Sequence, residues 1–196
     1  MNKLKFIILA TITIISCSCN SLECVEINQK STELPIVFRL AKDNNNRIIT
    51  MQLPVEIDIK NNCLKEMTFL RMYYNYNKTI PDLRKGGFGM SLYERKNGIL
   101  HRIPNKKTSV DGKKTLDYIC YTSHFIDSIQ SLKLNSYIKE MSVLNKDTLS
   151  ISISEFQIRN SELFNKLTKN DSISVRFLDS STKSGLGERI AIPVKW

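Results

Sequence analysis

The chain has 196 residues, of which 41% are hydrophobic, and it carries a formal net charge of +10. This length suits a single domain, and the hydrophobic content is sufficient for a buried core. No apolar stretch beyond the first 16 residues approaches the about 20 residues of a spanning helix, which excludes helices crossing a membrane further along the chain.

The N-terminus has the pattern of a secretory signal peptide. Lys3 and Lys5 precede an apolar run from Phe6 to Ile15, and the small residue Ser16 follows that run. The run is too short to cross a bilayer as a helix and has no polar face to show to solvent. Residues 1–16 are therefore predicted to be a signal peptide.

Ile14, Ile15, Ser16 and Cys17 end this segment. Here the sequence resembles a bacterial lipoprotein, whose pattern is an aliphatic residue, a loosely constrained position, a small residue and the lipidated cysteine. The resemblance covers 17 residues, and it implies that Cys17 carries acyl chains that anchor the protein in a membrane of the bacterial cell envelope. Cys19 is a rival lipidation site, and a soluble secreted protein cut nearby is the alternative.

Behind the lipid, residues 17–33 are polar without periodicity and are predicted to be a flexible tether. A first strand is expected at residues 34–40. Residues 49–59 then alternate strictly, with apolar side chains at every odd position, which predicts a strand with one buried face. Pro54 cannot donate to a sheet, so this strand lies at an edge or is broken there. Residues 67–76 are predicted to be a strand buried on both faces.

Residues 91–103 are predicted to form a β-hairpin. Asn97-Gly98 is the preferred dipeptide of a type I′ turn, and it places Lys96 opposite Ile99 and Glu94 opposite His101. Further strands are expected at residues 116–125, 149–153, 173–177 and 190–196. Helical spacing favours a short helix around residues 134–141 and one or two helical turns at residues 161–168.

This pattern of seven to nine short strands predicts a mainly β protein. We expect an antiparallel immunoglobulin-like β-sandwich with one or two short helices, formed by residues 34–196 as one domain. The likeness is architectural only, because the cysteine–tryptophan–cysteine spacing of antibody domains is absent and the single tryptophan is residue 196.

Four cysteines remain if Cys17 carries lipid, and the oxidising envelope permits disulfides. Three pairings are open, of which Cys63–Cys120 is the expected one, with Cys19–Cys24 closing a small ring in the tether. A loop of about 58 residues closed in this way would be stabilised by about 4 kcal/mol. Buried free thiols are the alternative.

Positive charge is concentrated in residues 84–114. The mature chain has 27 basic and 19 acidic residues, a net charge of +8, and this segment alone contributes +7. Its nine basic residues are Arg84, Lys85, Arg95, Lys96, Arg102, Lys106, Lys107, Lys113 and Lys114. Such clustering attracts anions, so these residues are the predicted partner-binding surface. The alternative is a hairpin edge that charge protects from aggregation.

The chain offers few residues for catalysis. His101 and His124 are its only histidines, and Cys120 with His124 supplies too few ligands for a structural zinc site, which needs four. No metal and no cofactor is expected, and no nucleophile elbow or phosphate-binding loop appears. Tyr73, Tyr74 and Tyr76 offer either stacking contacts or core packing.

These observations predict a non-catalytic, lipid-anchored binding module. Its expected partners are the membrane, through the anchor, and an acidic protein or anionic glycan, whereas nucleic acid is not expected outside the cell interior. Two alternatives stay open. One is an immunity or inhibitor lipoprotein that neutralises a toxin or hydrolase, and the other is a glycan-acting enzyme whose paired carboxylates the fold would have to reveal.

Overall fold

The computed structural model describes residues 24–41, 47–76, 88–104 and 107–196. The fold is mainly β, with 47% strand and 20% helix, and its antiparallel sheets form a β-sandwich-like arrangement, as the sequence predicted. The strands in chain order are β1 Val25–Lys30, β2 Ile36–Leu40, β3 Ile48–Gln52, β4 Pro54–Asn61, β5 Met67–Asn75, β6 Phe88–Gly89, β7 Leu92–Lys96, β8 Ile99–Arg102, β9 Thr108–Val110, β10 Thr115–Tyr121, β11 His124–Phe125, β12 Thr148–Ile151, β13 Ser172–Leu178 and β14 Leu186–Pro193. The described helices are α1 Ser128–Lys133, α2 Asn135–Val143 and α3 Ile153–Thr168.

Sheets A and C pack face to face around the first hydrophobic core. Sheet A has the strand order β1-β4-β10-β7-β8, and sheet C has the order β14-β13-β5-β6 with β9 also paired to β5. Ile57 from sheet A and Phe69 and Val175 from sheet C have no exposed surface. Strand β5 is buried on one face only, contrary to the sequence prediction. Phe69, Met72 and Tyr74 are buried, whereas Leu70 and Arg71, where the pairing with β13 shifts register, are exposed.

Sheet B packs against the helices around a second core. Its strand order is β11-β3-β2-β12, and Phe38 of β2 contacts the rings of Tyr137 in α2 and Phe156 in α3 at centroid distances of 5.4 and 5.3 Å. Trp196 is partly buried against both cores, so the end of the described chain connects the two layers.

The alternating segment 49–59 is divided between two sheets. Strand β3 belongs to sheet B and β4 to sheet A, and the break falls at Leu53. Pro54 can be the first residue of an interior strand because the ladder needs no N–H from it there. The break that the sequence allowed at Pro54 is therefore confirmed, while β4 itself lies between β1 and β10 rather than at an edge.

The predicted hairpin is confirmed in its register. Lys96 pairs with Ile99 and Glu94 with His101. Asn97 and Gly98 have φ values of 51° and 79°, as a type I′ turn requires at both central positions.

Helix α3 begins eight residues before the predicted helical turns at residues 161–168. The Ser152 side chain accepts a hydrogen bond from the Glu155 N–H and caps the helix, an arrangement that serine favours. The predicted strand at residues 149–153 consequently ends at Ile151. With α1 and α2, the described residues contain three helices rather than one or two.

The predicted tether is wrong for residues 25–30, and the folded part begins before residue 34. These residues form β1, which pairs along its whole length with β4. Val25 and Ile27 point into the first core and are almost completely buried. Only two apolar residues alternate here, which is too short a pattern to recognise without the partner strand.

The predicted Cys63–Cys120 disulfide is also wrong, since Cys63 pairs with Cys24 at a Cα–Cα distance of 5.3 Å. Cys120 lies opposite Val55 near the start of β4, whereas Cys63 follows the end of that strand. Eight residues of extended chain separate the two positions by about 25 Å, far more than a disulfide spans. Cys120 is a buried free thiol whose S–H faces the Val55 carbonyl at 3.5 Å.

We expect peptide mapping under non-reducing conditions to recover one peptide pair joined through Cys24 and Cys63. Replacing both residues with serine opens a loop with a sequence separation of 39, so the free energy of unfolding should fall by about 4 kcal/mol in the chain-entropy model. Treating the wild-type protein with reductant before unfolding should give the same loss. Recovery of a peptide pair that contains Cys120 would contradict this pairing.

Candidate functional site

The predicted basic surface is divided between the two ends of sheet A. Lys96 at the hairpin turn lies at the same end as Lys113 and Lys114, which precede β10, whereas Arg102 lies opposite Tyr93 toward the other end. Lys107 precedes β9 and is exposed. Arg84, Lys85 and Lys106 lie outside the described residues. The described basic residues therefore do not form one continuous face.

Some of these charges are already compensated within the chain. The Arg95 guanidinium lies 3.6 Å from the Glu56 carboxylate, and the Lys96 ammonium lies 2.5 Å from that of Glu94. Arg102 is exposed and makes no ion pair within the described part of the chain. It is therefore the hairpin charge that remains most available to an external anion.

The alternative interpretation of the hairpin also has support. Strand β8 is at the edge of sheet A, and most of its side chains are exposed, including Ile99 at 63%. Charged side chains on such an edge discourage pairing with a second chain. His101 and Arg102 suit that role as well as partner binding.

A pocket of about 310 Å³ opens beside the hairpin, at the end of sheet A away from Lys113 and Lys114. Its lining combines four aromatic rings, four polar side chains and one methionine: Tyr76, Tyr93, Tyr121, Phe125, Gln52, Ser91, Thr122, Ser123 and Met90. We call this cavity the aromatic pocket.

Strand pairing brings the tyrosines of the pocket together. Tyr93 lies directly opposite Ile119, so Tyr121, two residues further along β10, is on the same outward face of the sheet. The rings of Tyr93 and Tyr121 stand perpendicular, with centroids 6.5 Å apart. Burial raises the pKa of Tyr121, and the nearby Arg95 partly opposes that increase.

Arg102 lies beside the aromatic pocket. It is the direct cross-strand partner of Tyr93, and such partners have Cβ atoms about 5 Å apart on one face. A guanidinium thus flanks a pocket in which no carboxylate contributes to the described lining.

A buried polar network supports the inner wall of the aromatic pocket. The Tyr76 ring packs edge-on against Tyr74 and His124, at centroid distances of 4.8 and 5.1 Å. The Tyr76 hydroxyl accepts a hydrogen bond from the Ser123 N–H at 3.0 Å. The Tyr74 hydroxyl donates to Asp171 Oδ2 at 2.6 Å, and His124 Nε2 lies 3.8 Å from the same oxygen.

Burial sets the protonation of this network. Desolvation raises the pKa of Tyr76 to about 12 and lowers that of His124 to about 4, although a backbone hydrogen bond with Leu167 favours the charged imidazole. At neutral pH both side chains are uncharged. With 2% of its side chain exposed, His124 supports the pocket wall and does not reach a ligand.

A larger cavity of about 630 Å³ lies between the end of β1, the start of α3 and Trp196. Lys30, Lys195 and Gln157 contribute to its wall, and Glu33 is its only carboxylate among the described residues. It is separate from the predicted basic segment, none of whose members lines it.

The sequence identified this site only in part. Of the three tyrosines singled out for stacking, Tyr76 alone lines the aromatic pocket. Tyr74 is buried, and Tyr73 lies on sheet C beneath the Arg189 guanidinium. Tyr93 and Tyr121 were missed because only the pairing of β7 with β10 places them on one face. Within the described ranges, no three His, Cys, Asp or Glu side chains are grouped as metal ligands.

No family model matches this chain, and no curated protein sequence matches it. In the described part of the chain, no helix is both long and apolar enough to span a bilayer.

We expect His124 to make the protein less stable in mild acid. The unfolded chain takes up a proton near pH 6.5, whereas the folded chain does so only near pH 4, so stability present above pH 6.5 is lost as the pH falls toward 4. The full shift corresponds to at most about 3 kcal/mol.

Denaturant unfolding of the wild type and a His124→Gln variant between pH 7.5 and 4 measures this difference. The wild type should lose more stability than the variant over that range, because the variant has no imidazole to protonate. The control is His101→Gln, since His101 is exposed on β8. If the free energy of unfolding changed with pH in the same way for wild type and His124→Gln, His124 would not contribute to the pH dependence of stability.

Proposed function

We propose that this protein is a lipid-anchored, non-catalytic binding module of the bacterial cell envelope, which docks an acidic partner through its basic hairpin region. The observation that carries the proposal is the position of Arg102, which is exposed and lies directly opposite Tyr93, a residue that lines the aromatic pocket. A cation beside tyrosine rings suits ligands that combine negative charge with a flat apolar surface.

The anchor rests on the N-terminal pattern that ends at Cys17. From Cys17, seven residues lead to Cys24, which the disulfide to Cys63 fixes to sheet A. Seven residues of fully extended chain span about 25 Å at most. The folded part would therefore lie close to the bilayer, on a shorter tether than the predicted residues 17–33 imply.

The direction of β1 supports an orientation for the binding site. Val25, at the anchored end of β1, pairs with Asn61, and Asn61 in turn hydrogen-bonds to the Lys114 carbonyl. The aromatic pocket lies at the other end of β10, about 20 Å away along the strand. We therefore propose that the pocket faces away from the anchoring membrane, toward a partner in solution or on another surface.

The chemistry of the pocket favours binding over catalysis. A glycan-hydrolysing site requires two carboxyl groups facing each other across about 5–10 Å. The aromatic pocket has no carboxylate in its described lining, and the larger cavity has only Glu33. Neither arrangement supports the acid–base pair of a glycan-acting enzyme.

Substituting Cys17 with alanine should abolish acylation and move the protein from the membrane fraction to the soluble fraction. Metabolic labelling with a palmitate analogue, followed by fractionation, measures both effects. Cys19→Ala is the matched control and should keep label and membrane association. Label retained by Cys17→Ala and lost by Cys19→Ala would assign the lipid to Cys19 instead.

Reversing the charge of Arg102 should weaken partner capture about tenfold, because it places a carboxylate beside the pocket. The assay retains an envelope extract on the immobilised domain at increasing salt concentration. Lys139→Glu makes the same charge change at an exposed position of α2, outside the predicted basic surface, and should leave capture nearly unchanged.

If the charges on β8 only protect the edge of sheet A from aggregation, we expect a different pair of results. Capture would be the same in wild type and Arg102→Glu, while an Arg102→Leu variant, which removes charge from β8, would self-associate in size-exclusion chromatography. That outcome would contradict docking through the hairpin.

A further inference from the structure

Resting on the proposed function, we infer that the acidic partner is a uronic-acid polysaccharide, one sugar ring of which occupies the aromatic pocket while its carboxylate binds Arg102. We favour a sugar over an acidic peptide as the ligand. Four properties of the site support it: its volume, the chemistry of its lining, the hydroxyls it offers to a ligand and the charge next to it.

The volume limits what can enter. At about 310 Å³, the aromatic pocket is at the lower end of the range for small-molecule sites, about 300–1,000 Å³. It therefore holds one ring or one side chain of a polymer rather than an extended ligand. Phe125 lines the pocket and is 64% exposed, so the pocket is open to solvent there and the remainder of a polymer can extend outward.

The lining alternates apolar faces with hydrogen-bonding groups. Tyr93, Tyr121 and Phe125 offer ring faces, while Gln52 and Ser91 offer polar atoms around them. A pyranose ring has the matching character, with C–H groups on its face and hydroxyls around its edge. An apolar peptide side chain would instead bury these polar groups without replacing their water, at a cost of about 1–3 kcal/mol each.

Several of these polar groups make no hydrogen bond within the described part of the chain that would compete with a ligand. Thr122 already accepts a hydrogen bond from the Leu53 N–H, and Gln52 contacts Arg39 and Ser123. In contrast, the Ser91, Tyr93 and Tyr121 hydroxyls make no hydrogen bond to another described residue. They line one side of the pocket and suit the hydroxyls of a sugar.

The charge distribution selects an acidic sugar over a neutral one. Arg95 is compensated by Glu56 at 3.6 Å, whereas Arg102 has no ion pair among the described residues and lies opposite Tyr93. A guanidinium binds a carboxylate through two parallel hydrogen bonds. A ring stacked on Tyr93 would place such a substituent within reach of Arg102.

Isothermal titration of the purified soluble domain, residues 18–196, tests the inference with defined probes. The uronic-acid probes are tetramers to hexamers of galacturonate, alginate and hyaluronan. The rivals are a neutral galactose oligomer and hexaglutamate. We expect at least one uronic-acid probe to bind, and to bind at least tenfold more tightly than either rival.

Four variants locate the binding. Tyr93→Leu and Arg102→Gln should each weaken the binding of that probe at least tenfold. Tyr73→Leu and Arg71→Gln, on sheet C, remove the same residue types elsewhere and should leave it unchanged. Circular dichroism melting of each variant confirms folding, so a loss of binding reports on the pocket.

The outcomes separate this inference from the proposed function. If none of the uronic-acid probes binds, the sugar assignment is overturned, and docking stands if hexaglutamate binding depends on Arg102. If a uronic-acid probe binds equally well to Tyr93→Leu and to wild type, its ring does not occupy the aromatic pocket and the inference fails. If no acidic probe binds and capture from envelope extract is independent of Arg102, both proposals fail.

Discussion

The antiparallel pairing of β4 with β1 on one side and β10 on the other organises the described structure. One face of β4 places Val55, Ile57 and Ile59 in the first core with no exposed surface. The strand also sets the positions of the functional features along one axis. The Cys24–Cys63 disulfide is at its C-terminal end, and the aromatic pocket is near its N-terminal end. Loss of this pairing would therefore disrupt the disulfide, the first core and the aromatic pocket together.

Local sequence patterns predicted the elements that depend on neighbouring residues. The break at Pro54 and the Asn97-Gly98 turn are each specified within about ten residues, and both are confirmed, although the alternating residues 49–59 form strands in two different sheets. The mainly β class could be predicted because such strand and turn patterns recur along the sequence. Helix α3 was too short in the prediction because residues 149–153 alternate like a strand, yet Ser152 caps a helix that buries Phe156.

Features formed by two segments that are far apart in the sequence could not be predicted from local patterns. Strand β1 is stabilised by pairing with β4, about 30 residues later, and its own two buried apolar residues are a weak signal. The disulfide depends on that pairing, since β1 brings Cys24 to the end of β4 where Cys63 follows. The aromatic pocket depends on residues from β3, β7, β10 and β11 and on Tyr76, which follows β5, so no contiguous motif encodes it.

Charge counting along the sequence also gave an incomplete description of the surface. The outward face of sheet A carries ion pairs between Lys60 and Glu26 and between Arg95 and Glu56, and Lys30 pairs with Asp117 and Asp58. Exposed pairs of this kind contribute little to stability, about 0–1 kcal/mol each. They nevertheless determine which cations a ligand encounters, because a compensated guanidinium attracts an anion less strongly than Arg102 does.

The support behind Tyr76 links the aromatic pocket to both cores. Tyr74 belongs to β5 in sheet C, His124 to β11 in sheet B, and Asp171 to the turn between α3 and β13. These residues contact one another and are almost completely buried. The pocket wall is therefore fixed by three separate parts of the fold before a ligand binds. A wall ordered in advance lowers the entropic cost of binding. A shallow pocket of this kind can therefore gain affinity from stacking and a single charge, without closing around its ligand.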